Sequence, residues 1–177
     1  MTGEQSAGEG IDHLGITVPD IDAASGFLAG ALGAQVIRDV IVDGVPVGSP
    51  SRPGFLSRFA QMLGARPGAS LWAVRILGLG GGPCIELFQY RNVDQQPPAV
   101  HSDLGMQHFS VCVDDLELAM QRFIACGGTR LGGPFAMPGT SAGGTWAYMT
   151  APWGTVVELI TPVGLRRAYD SDKAQQP

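Results

Sequence analysis

The sequence predicts an α+β fold built from two βαβββ modules, and three features carry that reading. First, the chain repeats itself: HLGITVPDIDAA from His13 aligns with HFSVCVDDLELA from His108, an offset of 95 residues. Second, each copy opens with a His on an alternating run and closes with a Glu on another, CIELFQY around Glu86 and VVELITP around Glu158. Third, 26 Gly and 13 Pro in 177 residues supply the many turns that a strand-rich chain needs.

Within the aligned segments Ile16 falls on Val111, Val18 on Val113, Asp20 on Asp115, Ile21 on Leu116 and Ala24 on Ala119. The same offset puts Gly33 on Gly128. Apolar residues alternating along residues 13–18 predict a strand. A helix follows over 20–32, with Asp20 or Asp22 as its N-cap and Gly33 just past its end. Strands are expected at 35–42, 70–77 and 83–90. The second copy gives a strand at 107–113, a helix at 116–126, and strands from 129 toward Phe135, at 145–150 and at 155–161. Gly154, after Pro152 and Trp153, marks the last two as a hairpin.

The two copies differ in length. His13 and Glu86 are 73 residues apart, His108 and Glu158 only 50. The first copy therefore carries an insertion, placed at 43–70 by its Pro, Gly and Ser content. Phe55, Phe59, Met62 and Leu63 recur there at helical spacing, which predicts a short amphipathic helix. Such a helix can be extra packing or a lid over a pocket, and the sequence leaves both open. The expected organisation is a disordered lead-in at 1–10, a first module at 11–100, a second at 101–163 and a tail at 164–177.

Composition narrows the function. Hydrophobic residues make up 45% of the chain, enough for a core. The net charge is −5 and the eleven Lys and Arg are scattered, which argues against nucleic acid, a polyanion read by a basic stripe. No apolar run reaches the roughly 20 residues of a membrane helix, and the polar start MTGEQSAGEG lacks the order of a signal peptide. Three Cys without a CxxC pattern fit a reduced protein, and the expected location is cytoplasmic.

The chemistry follows from strand parity. Leu14, Ile16 and Val18 share one face, opposite His13; Phe109, Val111 and Val113 lie opposite His108. Ile85 and Leu87 flank Glu86, and Val157 and Leu159 flank Glu158, on the opposite face from each carboxylate. A carboxylate in an apolar strand is costly unless it is paired or bound to a metal. Two such Glu and two such His, placed symmetrically, point to one divalent ion held by His13, Glu86, His108 and Glu158. The set suits Mn, Fe, Co, Ni, Mg or Zn. Around it, Arg75 is a candidate for an anionic group of a small-molecule substrate, and Phe59, Trp146 and Tyr148 are candidates for lining the pocket. Arg75 could equally reach solvent from an edge strand. Cys84 and Cys112 read as small core fillers. His101, seven residues before His108 in a Pro-rich linker, reads as a poor candidate for a group supporting the ligands.

The runs IDHLGITVPDID, PCIELFQY, GMQHFSVCVDDLE and YMTAPWGTVVELITP resemble the vicinal-oxygen-chelate superfamily, which includes glyoxalase I, methylmalonyl-CoA epimerase, extradiol dioxygenases and bleomycin-binding proteins. The resemblance implies a cupped, partly closed mixed barrel around the metal, and a homodimer. Its ligand positions fall on the same four residues. It makes Glu158 or Glu86 the base of a lyase or isomerase that moves a proton next to a carbonyl through a metal-stabilised enolate. Two other readings stay open: an Fe(II) extradiol-type dioxygenase, and a binding or resistance protein without turnover. The hairpin that usually reads Asp-Pro-Asp-Gly is Ala-Pro-Trp-Gly here, at 151–154.

Overall fold

The computed structural model describes residues 10–48, 54–136 and 144–161. The expected lead-in, apart from Gly10, and the expected tail lie outside them. The chain divides into two compact units, one of Met1–Ala29 with Gly33–Asp94 and one of Gly30–Leu32 with Gln95–Pro177. The linker containing His101 thus belongs with the second unit.

The first unit runs β1 (His13–Thr17), α1 (Ile21–Leu32), β2 (Gln35–Val42), β3 (Val45–Pro46), α2 (Phe55–Met62), β4 (Ser70–Gly78) and β5 (Cys84–Arg91). Its five strands form one mixed sheet in the order β1-β5-β4-β2-β3, with β1 parallel to β5 and β4 antiparallel to both its neighbours. The second unit runs β6 (His108–Cys112), α3 (Leu116–Ala125), β7 (Thr129–Ala136), β8 (Thr145–Thr150) and β9 (Val156–Ile160). Its sheet order is β6-β9-β8-β7, again with one parallel pair, β6 with β9. Removing β3 from the first order leaves the second, so the sequence repeat is a repeat of topology. The fold is α+β, two mixed sheets with their helices, as expected.

Local chemistry explains the helices. Asp20 caps α1 through Oδ1, which accepts from Ala23 N at 2.8 Å; Asp115 caps α3 in the same way, from Leu118 N at 2.9 Å. Gly33 closes α1 in the left-handed region at φ 73° and donates to Ala29 O. The second copy departs here. Helix α3 ends at Ala125, and Gly127 takes the positive φ of 102°. Gly128 serves space instead: a Cβ there would stand 2.4 Å from Cδ1 of Phe123, which is fully buried.

One face of each sheet is the core. Ile16, Val18, Ile85, Leu87 and Leu77 are buried in the first unit, with Phe27 and Leu28 of α1. Val157, Leu159, Ala147 and Met149 are buried in the second, with Met120 and Phe123 of α3. The other faces carry the polar residues of the repeat. Among the described residues no helix is long and apolar enough to cross a membrane.

The insertion contains two elements. Strand β3 pairs with β2 across a tight turn at Asp43 and Gly44, both with positive φ (48° and 74°). Helix α2 buries Leu56 and Ala60 in a cluster with Ile41, Leu71 and Val74, and Phe59, Phe88 and Tyr90 pack against that cluster. Phe88 and Tyr90 share strand parity with Glu86. The helix therefore covers the Glu86 face of the first sheet, further along β5. Phe59 lies in this packing, with its ring stacked on Phe55 at 5.9 Å. Met62, another of the apolar residues that predicted the helix, is 82% exposed and turned away from the cluster.

Candidate metal centre

Register brings each His to its Glu. In the parallel pair β1–β5, His13 lies opposite Cys84 and Gly15 opposite Glu86, so His13 and Glu86 are diagonal neighbours on one face. In β6–β9, His108 lies opposite Val156 and Ser110 opposite Glu158, the same diagonal. The resulting distances nearly coincide: His13 Nε2 to Glu86 Oε2 is 3.4 Å, and His108 Nε2 to Glu158 Oε2 is 3.5 Å.

Those separations suit shared ligation better than direct pairing. A charge-assisted hydrogen bond brings N and O to about 2.7–2.9 Å. Two donors bound to one ion at about 2.1 Å stand about 3.0 Å apart at a right angle and about 3.4 Å apart at a tetrahedral angle. Imidazole nitrogen and carboxylate oxygen are also the donor types that divalent transition metals take. Each pair therefore has the donor types and the spacing of two ligands to one ion. Among the described residues, no three or more His, Cys, Asp or Glu side chains form a group that could hold an ion; each unit supplies a two-donor pair.

The pairs differ in their surroundings. His13 is half exposed, and its Nδ1 meets Asp12 Oδ2 at 3.0 Å. That hydrogen bond is the main cause that holds the imidazole's pKa above its ordinary value; desolvation opposes it, and the charges of Glu86 and Asp12 add to the rise. The Tyr90 phenol is pushed up by burial and then by Glu86. Around the second pair stands a row of rings. Tyr148, opposite Glu158 on β8, lies 5.0 Å from the His108 ring and 4.9 Å from Trp146, which in turn lies 4.7 Å from Phe135. The Tyr148 phenol is likewise pushed up by burial and then by Glu158. Tyr148 thus packs against the His108 ring, and Trp146 stands one ring further along the row.

His101 belongs to the same row, contrary to the sequence expectation. Its ring is 5.9 Å from that of His108 and 5.3 Å from that of Tyr148. The linker reaches there because it folds into a turn, with Asp103 N donating to Val100 O and Val100 N to the Asp103 carboxylate. Spacing along the chain gave no sign of it.

Arg75 goes elsewhere. On β4 it shares the face of Leu87, away from Glu86. Its Nε donates to Asp39 at 2.6 Å, and its Nη1 donates to Asp22 at 2.8 Å and to Ser25 Oγ at 3.2 Å. Strand β4 is interior to its sheet, so the alternative of an edge-strand Arg does not hold either. The guanidinium ties α1 and β2 to β4, and its two carboxylate partners raise its pKa, the Asp39 bond most. Cys112 and Cys126 are exposed and Cys84 is half-buried, all three as free thiols, so Cys112 is no core filler.

Comparison with known proteins agrees with this architecture. The family described as "Glyoxalase/Bleomycin resistance protein/Dioxygenase superfamily" matches residues 10–159. A 2-epi-5-epi-valiolone epimerase of Actinomyces sp is 31% identical over 170 residues, covering 93% of this chain and 86% of the relative. A glyoxalase family protein from Bacillus cereus superposes with a TM-score of 0.67 at 16% identity, covering 93% of this chain and 99% of that one. The trypanothione-dependent glyoxalase I of Leishmania major gives 0.57 at 17% identity, covering 96% and 98%.

Proposed function

Since the chain belongs to the glyoxalase/bleomycin resistance protein/dioxygenase superfamily, we propose that it is a metal-dependent isomerase, an epimerase that moves a proton next to a carbonyl of a small molecule. One observation carries the reading. Two units with the same topology each bring a His Nε2 and a Glu Oε2 to within 3.4–3.5 Å on the face opposite the core. His13, Glu86, His108 and Glu158 would together hold one divalent ion. Such an ion supplies a Lewis acid for the carbonyl oxygen, which acidifies the neighbouring C–H.

The chain's own residues do the rest. Epimerisation removes a proton from one face of a carbon and returns one to the other, a task for two acid–base groups. Glu158 takes the role of base and Glu86 is its counterpart. Both are largely buried, at 16% and 22% exposed, so a proton held on either is partly screened from exchange with water. Tyr148 offers an aromatic face beside Glu158, with Trp146 packed against it, and α2 limits access beside Glu86.

The extradiol-type dioxygenase is the second reading, and His101 is the observation that favours it. That chemistry draws on a further imidazole beside the ligands, and His101 supplies one next to His108. One experiment separates the two. The protein is incubated in D2O with 2-epi-5-epi-valiolone, the ketone named for the relative, and separately with a catechol panel under an oxygen electrode. Deuterium entering an epimerised product without oxygen uptake is the expected result. Oxygen uptake with a catechol, and no deuterium incorporation, overturns the epimerase reading.

A further inference from the structure

We propose that His101 is the positioning residue for His108. Its imidazole shares a polar contact with the Nδ1 side of His108, through one bridging water, and so reserves Nε2 for the ion. The proposal rests on the reading of His108 as a ligand.

The repeat frames the argument. A ligating His is held in one tautomer by whatever its second ring nitrogen meets. In the first unit that partner is Asp12, 3.0 Å from His13 Nδ1. The equivalent of Asp12, one residue before the His, is Gln107. Gln107 plays a different part, since its Nε2 donates to the backbone carbonyl of His101 at 2.5 Å. The second unit thus uses the equivalent position to fasten His101 in place of reaching His108 directly.

The nitrogens confirm that something is needed. His108 Nδ1 and His101 Nε2 are both buried and neither has a hydrogen-bond partner among the described protein atoms. Buried polar atoms are rarely left so. The two rings meet edge to face at 5.9 Å, each packed on Tyr148. One water accepting from the Nδ1–H of His108 and donating to His101 Nε2 satisfies both at once. Reciprocal hydrogen bonds between Val100 and Asp103 fix the turn that carries His101, so the imidazole stands on a built support.

The test uses the metal-free full chain and Co(II) as probe. Long-range 1H–15N spectra read the His108 tautomer in wild type, His101→Phe and His101→Gln, and calorimetry gives Co(II) affinity for each. Phe keeps the packing and removes the nitrogen; Gln keeps a polar group. The expected result is a single Nδ1–H tautomer at His108 in wild type and a mixture in His101→Phe. Co(II) affinity should fall roughly 10- to 100-fold in His101→Phe, and His101→Gln should recover most of both properties. An unchanged His108 tautomer in His101→Phe overturns the role of His101, and so does a His101→Gln variant as impaired as His101→Phe. Wild-type protein that binds no Co(II) overturns instead the reading of His108 as a ligand.

Discussion

Glu158→Gln is expected to lower exchange of the substrate's acidic proton with solvent by about 10²- to 10⁴-fold, the usual contribution of a positioned acid–base group. The amide keeps an oxygen donor at the same place but cannot take a proton. Metal content should therefore fall far less than the rate. Glu158 is the stronger candidate because it is the more buried of the two carboxylates and faces the ring of Tyr148 on the neighbouring strand. Glu86→Gln undergoes the same measurement. If Glu158 alone is the base for the first proton removal, Glu86→Gln keeps wash-out of label while losing inversion. A Glu158→Gln variant that exchanges as fast as wild type removes Glu158 from the chemistry.

Ala60→Asp is expected to cost on the order of 3–5 kcal/mol of stability, the scale of an uncompensated buried charge. Ala60 is fully buried where α2 meets Ile41, Leu71 and Val74. Leu56→Ala, a milder change in the same cluster, should cost about 2–5 kcal/mol. Both variants uncover the ground beside Glu86. In Leu56→Ala, which adds no charge, the Tyr90 phenol, held high first by burial and then by Glu86, should then titrate closer to its ordinary range. Thermal melts and ultraviolet titration read the two effects. Because the cluster under α2 includes Phe88 and Tyr90 but neither His13 nor Glu86, metal binding by the folded fraction should survive while substrate use broadens. Unchanged stability in Ala60→Asp means that α2 is not part of the first unit's core.

Much of this architecture was legible in the sequence because it depends on local patterns that repeat. The offset of 95 residues located β1 and β6, and both Asp N-caps follow it. Strand parity put each His and each Glu on the polar face, and parallel pairing in the same register did the rest. What escaped depends on contacts between distant residues. The carboxylate partners of Arg75 are 36 and 53 positions away, on β2 and α1, and no pattern along β4 announces them. His101 reaches His108 only because a turn folds the linker back. Strand β3 does carry a signal, since Asp-Gly between Val42 and Val45 is a hairpin turn, but with only two residues, one of them Pro46, it shows no alternating pattern. The close fit of Gly128 on Phe123 is likewise a packing fact, indistinguishable in sequence from the turn glycine that the repeat suggests.

On the proposed reading, the His13–Glu86 and His108–Glu158 pairs serve one ion. Elemental analysis combined with native mass spectrometry, on protein purified without chelator, measures the stoichiometry directly. One divalent ion per chain is expected, lost when either pair is removed, as in His13→Ala with Glu86→Ala or His108→Ala with Glu158→Ala. Two ions per chain, no ion at all, or one ion retained after a whole pair has been deleted would contradict it.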